Sequence, residues 1–158
     1  MKLDKSPQNR EIFDNAFSFY GTLSPDGFLL ELTGKVFIKA MTEPELLIGH
    51  KFTETVFWHS APHISGLLSQ IIEDAANGIK SKTELDFRVT ARIIQTIEFS
   101  LIPQTDDSGD VKNIFFYAID ISDKIREIRF HKDRGEHLLY AAESADVGLW
   151  FWDLAKDE

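Results

Sequence analysis

His59 and His63 stand four residues apart, a spacing that turns both side chains to one side of a helix. Such a pair suits a metal ion, but zinc asks for three or four ligands and no third lies nearby. Because Ser60-Ala61-Pro62 reads as a helix start, capping or solvated roles fit both histidines better. His131 and His137 fall in a charged helical stretch. A phosphoacceptor histidine sits in a motif such as His-Glu-Leu-Arg, which neither His131-Lys132-Asp133-Arg134 nor Gly135-Glu136-His137-Leu138 matches. Glu98 and Asp86 alternate with apolar neighbours, so both are expected to face solvent. No carboxylate pair, Ser–His–Asp order or glycine-rich phosphate loop occurs. No catalytic residue and no metal site is read, and this chain is not expected to act as an enzyme by itself. The absence of cysteine removes disulfides, thiolate metal sites, cysteine nucleophiles and flavin–cysteine photochemistry.

What remains is an aromatic run, Phe57-Trp58-His59, in a chain with thirteen Phe, three Trp and three Tyr. That supply can wall an internal pocket, and it can equally fill a core. Trp58 reads as a cap on the apolar core before it reads as a pocket wall. A net charge of -9 repels phosphate backbones and anionic lipid, so neither nucleic acid nor a membrane surface is an expected partner. No run approaches the roughly 20 apolar residues of a membrane span, and Met1 to Arg10 is too polar for a signal peptide. Cytoplasmic placement is the default expectation.

The elements that must position these residues follow from period and punctuation. A polar lead-in, 1–11, runs into an apolar turn at Ile12, Phe13, Ala16 and Phe17 that suits a short helix or an immediate strand. FSFYGTL (17–23) and GFLLELT (27–33) flank Ser-Pro-Asp-Gly, which predicts a β-hairpin with Phe17, Phe19 and Leu23 on one face. Val36, Phe37, Ala40 and Met41 then follow helical spacing, and Thr42-Glu43-Pro44-Glu45 opens a second short helix. A longer helix is predicted from about His59 to Asn77, with Ile64, Leu67, Leu68, Ile71, Ile72 and Ala75 as its stripe. Three strands close the unit: 83–90, 93–103 and 111–121, the last apolar on both faces and so central. The expected fold class is α+β, a five-stranded antiparallel sheet with short helices over one face. Residues 122–145 form a charged helix with an interrupted heptad-like stripe of Ile121, Ile125, Ile128, Leu138, Leu139 and Ala142. A surface helix packed on its own sheet and a dimerising linker both fit that stripe. Residues 146–158 open a strand with no partner left in the chain.

In this order, the Ser-Pro-Asp-Gly hairpin, Glu45-Leu46-Leu47-Ile48-Gly49 with Phe52, and the long helix resemble a PAS domain. Glu98-Phe99-Ser100-Leu101-Ile102-Pro103, the turn at Ser108-Gly109-Asp110 and the closing Asp120-Ile121-Ser122-Asp123 add its C-terminal PAC extension. The resemblance covers about residues 12–123, with the sensory domain bounded at 12–121. The tail, Val147-Gly148-Leu149-Trp150 and Trp152-Asp153-Leu154, resembles the opening of a second repeat. One departure stands out: the Asn-Ala turn usual after the second strand is replaced by Thr33-Gly34-Lys35.

The resemblance implies a sensory module with an aromatic-lined cavity, formed by Phe19, Phe37, Met41, Phe52, Trp58, Leu68, Ile71, Phe87, Phe99 and Tyr117. Leu67 and Ile97 are implied beside them. FAD is the cofactor it implies ahead of any other, while haem, which would call on His63, is disfavoured. Asp120, Ile121 and Ser122 are implied as the relay into the linker helix, with Lys124 and Arg126 as partners for Asp120. The tandem repeats resemble those of bacterial sensor histidine kinases, of two-component signalling, and of cyclic-di-nucleotide enzymes. They imply a homodimer, a small-molecule ligand and an output kinase or cyclase domain on the same chain. The rival reading is a fully packed module that only dimerises.

Overall fold

The computed structural model describes residues 7–58 and 61–144. His59 and the second repeat read at 146–158 lie outside the described residues. Helix α1 (Pro7–Ala16) leads into strands β1 (Phe19–Leu23) and β2 (Leu29–Thr33), then helix α2 (Lys35–Ala40) and two 3₁₀ turns at Pro44–Leu47 and Phe52–Glu54. Helix α3 (Pro62–Ala76), strands β3 (Ser81–Arg88), β4 (Ile94–Thr105) and β5 (Val111–Asp120), and helix α4 (Ser122–Ser144) complete the order. The α1 helix begins inside the segment read as lead-in.

The five strands form one sheet in the order β2-β1-β5-β4-β3, every neighbour antiparallel. β5 is central, as its two apolar faces require: Ile114, Phe116 and Ala118 are buried on one side, and Phe115 and Tyr117 lie on the other. The hairpin between β1 and β2 turns through Gly27 at φ 83°, a left-handed value that glycine adopts without strain. Gly34 has a different reason to be glycine. A Cβ there would stand 2.4 Å from the Ser18 carbonyl oxygen and 2.6 Å from Phe19 Cα. This close approach leaves no room for a side chain at position 34.

Two sequence expectations change here. Phe17 does not share a face with Phe19 and Leu23, because β1 starts only at Phe19. Its ring instead lies tilted against Tyr117 on the outer face, 4.7 Å between centroids, where Phe13 also meets Tyr20 at 5.5 Å. Phe13 is thereby used within its own unit, while Ile12 stays 64% exposed. Leu67 leaves the buried stripe of α3, which comprises Ile64, Leu68, Ile71, Ile72 and Ala75.

By its contacts the chain divides after Ser122. The α+β unit ends there, and the second unit contains the rest of α4, whose Ile128, Phe130, Leu138 and Leu139 are exposed.

Candidate functional site

The core face of the sheet, α2, α3 and the 3₁₀ turn at Phe52 enclose one aromatic cluster. Phe19, Phe37, Phe52, Trp58, Leu68, Ile71, Phe87 and Phe99, eight of the residues expected to line a cavity, are all buried in it. Phe87 is its hub: Phe19 lies at 4.8 Å, Phe57 at 5.0 Å and Trp58 at 5.5 Å between ring centroids. Phe52 joins Phe99 at 5.6 Å and Phe116 at 5.1 Å. Such spacings are those of rings in mutual contact, and each pair adds about 0.5–1.5 kcal/mol beyond the area it buries.

Two expected lining residues are elsewhere. Met41 is 93% exposed, because α2 ends at Ala40 and Met41 caps it in a left-handed conformation, φ 51°, that swings the side chain outward. Tyr117 faces the outer side of the sheet, since the alternation of β5 gives the core to Phe116 and Ala118. Phe57 and Phe116 take their places. The Phe115-Phe116-Tyr117 run carries rings on both faces of β5, so composition alone did not say which of them face the core. His63 is exposed on α3, where it cannot serve as an axial ligand in the interior.

Polar atoms are scarce inside. The buried polar residues among those described are Thr22, Thr55 and Ser100, and no ionised side chain is among them. Thr55 is satisfied, its hydroxyl donating to the Phe52 carbonyl at 2.8 Å. Trp58 Nε1, Gln95 Oε1, Ser81 Oγ and Ser100 Oγ are buried without a partner. A flavin does not fit this arrangement. Its polar ring edge needs several partners where the interior offers very few, and its three fused rings would have to displace phenyl rings already in contact.

The second feature is the junction at the end of β5. Asp120 Oδ2 accepts from Gln95 Nε2 at 2.6 Å, and Asp120 Oδ1 accepts from the Ser122 backbone N–H at 2.9 Å. Ser122 Oγ accepts from the Thr96 N–H at 3.0 Å, and the Ile121 N–H donates to the Thr96 carbonyl at 2.9 Å. Thr96 Oγ1 in turn donates to Asp86 Oδ1 at 3.1 Å. β3, β4, β5 and the first residue of α4 are thus held in one hydrogen-bonded chain. Asp120 takes an amide and a backbone N–H rather than Lys124 or Arg126, and Arg126 pairs with Asp123. Gln95 was missed by sequence reading. Its signal was its place directly opposite Phe87 on β4, which only the register reveals.

No family model matches the chain. Solved structures do. The PAS domain of BvgS from Bordetella pertussis matches with a TM-score of 0.57 at 17% identity, covering 81% of this chain and 94% of that one. A PAS domain from Colwellia psychrerythraea gives a TM-score of 0.57 at 18% identity, over 73% and 96%. The PAS-B domain of Drosophila melanogaster Cycle, solved with bound ethylene glycol, gives 0.52 at 14%, over 65% and 98%. With the strand order, α2 and α3 on one face and the helix leaving β5 already in place, these likenesses settle the architecture: the chain has the PAS fold.

Proposed function

We propose that this chain is a cytoplasmic sensory module that reads the occupancy of its interior and passes it through α4 to an output domain of the same protein. The observation that carries this reading is the junction. Gln95 reaches from the core face of β4 to Asp120, and Asp120 holds the N–H of Ser122 where α4 begins. A change in how β4 packs therefore acts on the residue that launches the helix. The Drosophila neighbour is solved with bound ethylene glycol, which supports a small-molecule ligand for such a fold. The tandem-repeat resemblance favours a histidine kinase as output, with a diguanylate cyclase next, and a homodimer built along α4. A ligand shifts such a helix only through its different affinity for two arrangements.

The test perturbs the interior without any ligand. The chain has no cysteine, so Glu127→Cys gives a single clean spin-label position on α4. Leu68→Ala, or the milder Ile72→Val if the former unfolds, is expected to shift the distance distribution between protomers. Adding Asp120→Ala should abolish that shift while the sheet stays folded. An unmoved helix in Leu68→Ala would instead identify a packed module that only dimerises.

A further inference from the structure

Two of the unpartnered polar atoms belong to residues that neighbour the same ring, Phe87. Trp58 is 1% exposed, and its indole N–H has no acceptor among the described residues. Its ring packs 5.5 Å from Phe87. Gln95 is the direct cross-strand partner of Phe87, so both side chains rise from the same face of the sheet. The orientation of the Gln95 amide follows from chemistry. A carboxylate only accepts, so Nε2 must be the end that meets Asp120, and Oε1 is the end left buried without a donor. The interior thus presents one free donor, on Trp58, and one free acceptor, on Gln95, next to Phe87. No buried ionised group among the described residues could balance a charged guest.

We propose that the ligand site lies beside Phe87 and takes a small uncharged molecule carrying a donor next to an acceptor: an amide, a lactam or a hydroxyl compound. Its oxygen accepts from Trp58 Nε1, and its N–H or O–H donates to Gln95 Oε1. The apolar remainder, far smaller than a flavin's three fused rings, lies against Phe52, Phe57 and Phe87. This assignment rests on the sensing reading above and adds to it the ligand's chemistry. It also supplies the differential contact that a relay needs, because the amide that meets the ligand is the amide that holds Asp120.

The test titrates the whole chain with δ-valerolactam, cyclohexanone and cyclohexanecarboxylate while following the indole ¹H–¹⁵N resonances. Trp58→Phe identifies the Trp58 signal. The lactam is expected to move that signal downfield saturably and to bind about tenfold more tightly than the ketone, the worth of one additional hydrogen bond. The carboxylate should leave it in place. Replacing Trp58 with benzothienylalanine, which keeps the ring shape and lacks the N–H, should weaken the lactam about tenfold. Gln95→Leu should do the same. Equal binding of lactam and carboxylate, undiminished binding by the benzothienylalanine protein, or a Trp58 signal that no probe moves would overturn the assignment; the last would mean that a bound water or the packed rings themselves serve the two atoms. The sensing reading is judged apart, by the ligand-free response of α4 to Leu68→Ala. A helix that responds beside a silent lactam sinks only the ligand chemistry. A bound lactam beside an unresponsive helix sinks only the relay.

Discussion

At the scale of single residues, the packing leaves little freedom where backbones meet. Gly34 is approached by Ser18 and Phe19 at 2.4 and 2.6 Å from where a Cβ would stand, and the obstructing atoms include main chain that cannot rotate away. Gly34→Ala should therefore destabilise the protein by about 3 kcal/mol, the upper end of ordinary overpacking. Urea unfolding followed by tryptophan fluorescence measures it, and a change below about 0.5 kcal/mol, the range of an inert surface substitution, would show that the hairpin simply shifts. On the outer face, Lys82 Nζ lies 2.8 Å from Glu98 Oε1. The hydrogen bond with Glu98 raises the Lys82 pKa above its ordinary 10.5, against a smaller lowering by desolvation. A raised ammonium pKa stabilises the fold fully below the unfolded value and loses that stabilisation as pH rises through the folded value. The pair's contribution should thus vanish in strongly alkaline solution, above about pH 10.5, and salt should weaken it at lower pH. Lys82→Met should remove the alkaline slope that this pair adds to the thermal midpoint. The interior residues were legible in the sequence because alternation names them: Phe87, Phe99 and Ile97 face the core as period two requires. Met41 and Tyr117 were not, because a left-handed cap turns Met41 outward and three consecutive aromatic residues put rings on both faces of β5.

At the scale of elements, the sheet was legible and its junction only half so. Turn residues and alternation give five strands, and the apolar faces of β5 place it in the middle. The resemblance pointed to Asp120 but suggested cations beside it. The partners are Gln95 and the Ser122 N–H, which pairing register brings together across 25 residues of chain in the case of Gln95. An amide makes a different device from an ammonium: it has two ends, one for the carboxylate and one for the interior. Gln95→Ala should consequently behave like Asp120→Ala in the spin-label experiment, leaving the sheet intact and the helix unresponsive to Leu68→Ala. Gln95→Glu sets a carboxylate against Asp120, so at neutral pH it should uncouple as well, and acidification that protonates one of the pair should restore the response. A response that survives in Gln95→Ala would assign the transmission to the backbone bonds of Thr96 alone.

At the scale of the whole molecule, α4 decides what a change at Ser122 can accomplish. Counting by alternating steps of three and four from Ile125 gives Ile128, Lys132, Gly135, Leu139 and Ala142, an unbroken heptad register with two unsuitable residues in its middle. Ile128 and Leu139 are 53% and 52% exposed on the single chain, as seam residues awaiting a second copy would be. In the proposed parallel pair, two Lys132 ammoniums would face each other and the two Gly135 would leave a gap. Each Lys132 can turn instead toward Glu136 of its own helix, 3.9 Å away. Such a seam would be firm at its ends and weak at its waist, a form that would let a small rotation at the first turn reach the last without breaking the proposed pair. Lys132→Leu should tighten dimerisation by about tenfold or more, since it replaces a buried like-charge contact with an apolar one, and it should shrink the response of the Glu127→Cys label to Leu68→Ala. Gly135→Ala alone raises helix stability in the monomer by about 1 kcal/mol as well, so it serves as the control for helix propensity. Sedimentation equilibrium reads the affinity and the spin labels read the response. A dimer no tighter in Lys132→Leu than in the wild type would place Lys132 outside the seam and send the search for the dimer interface back to the exposed Phe130 and Leu138 face of the same helix.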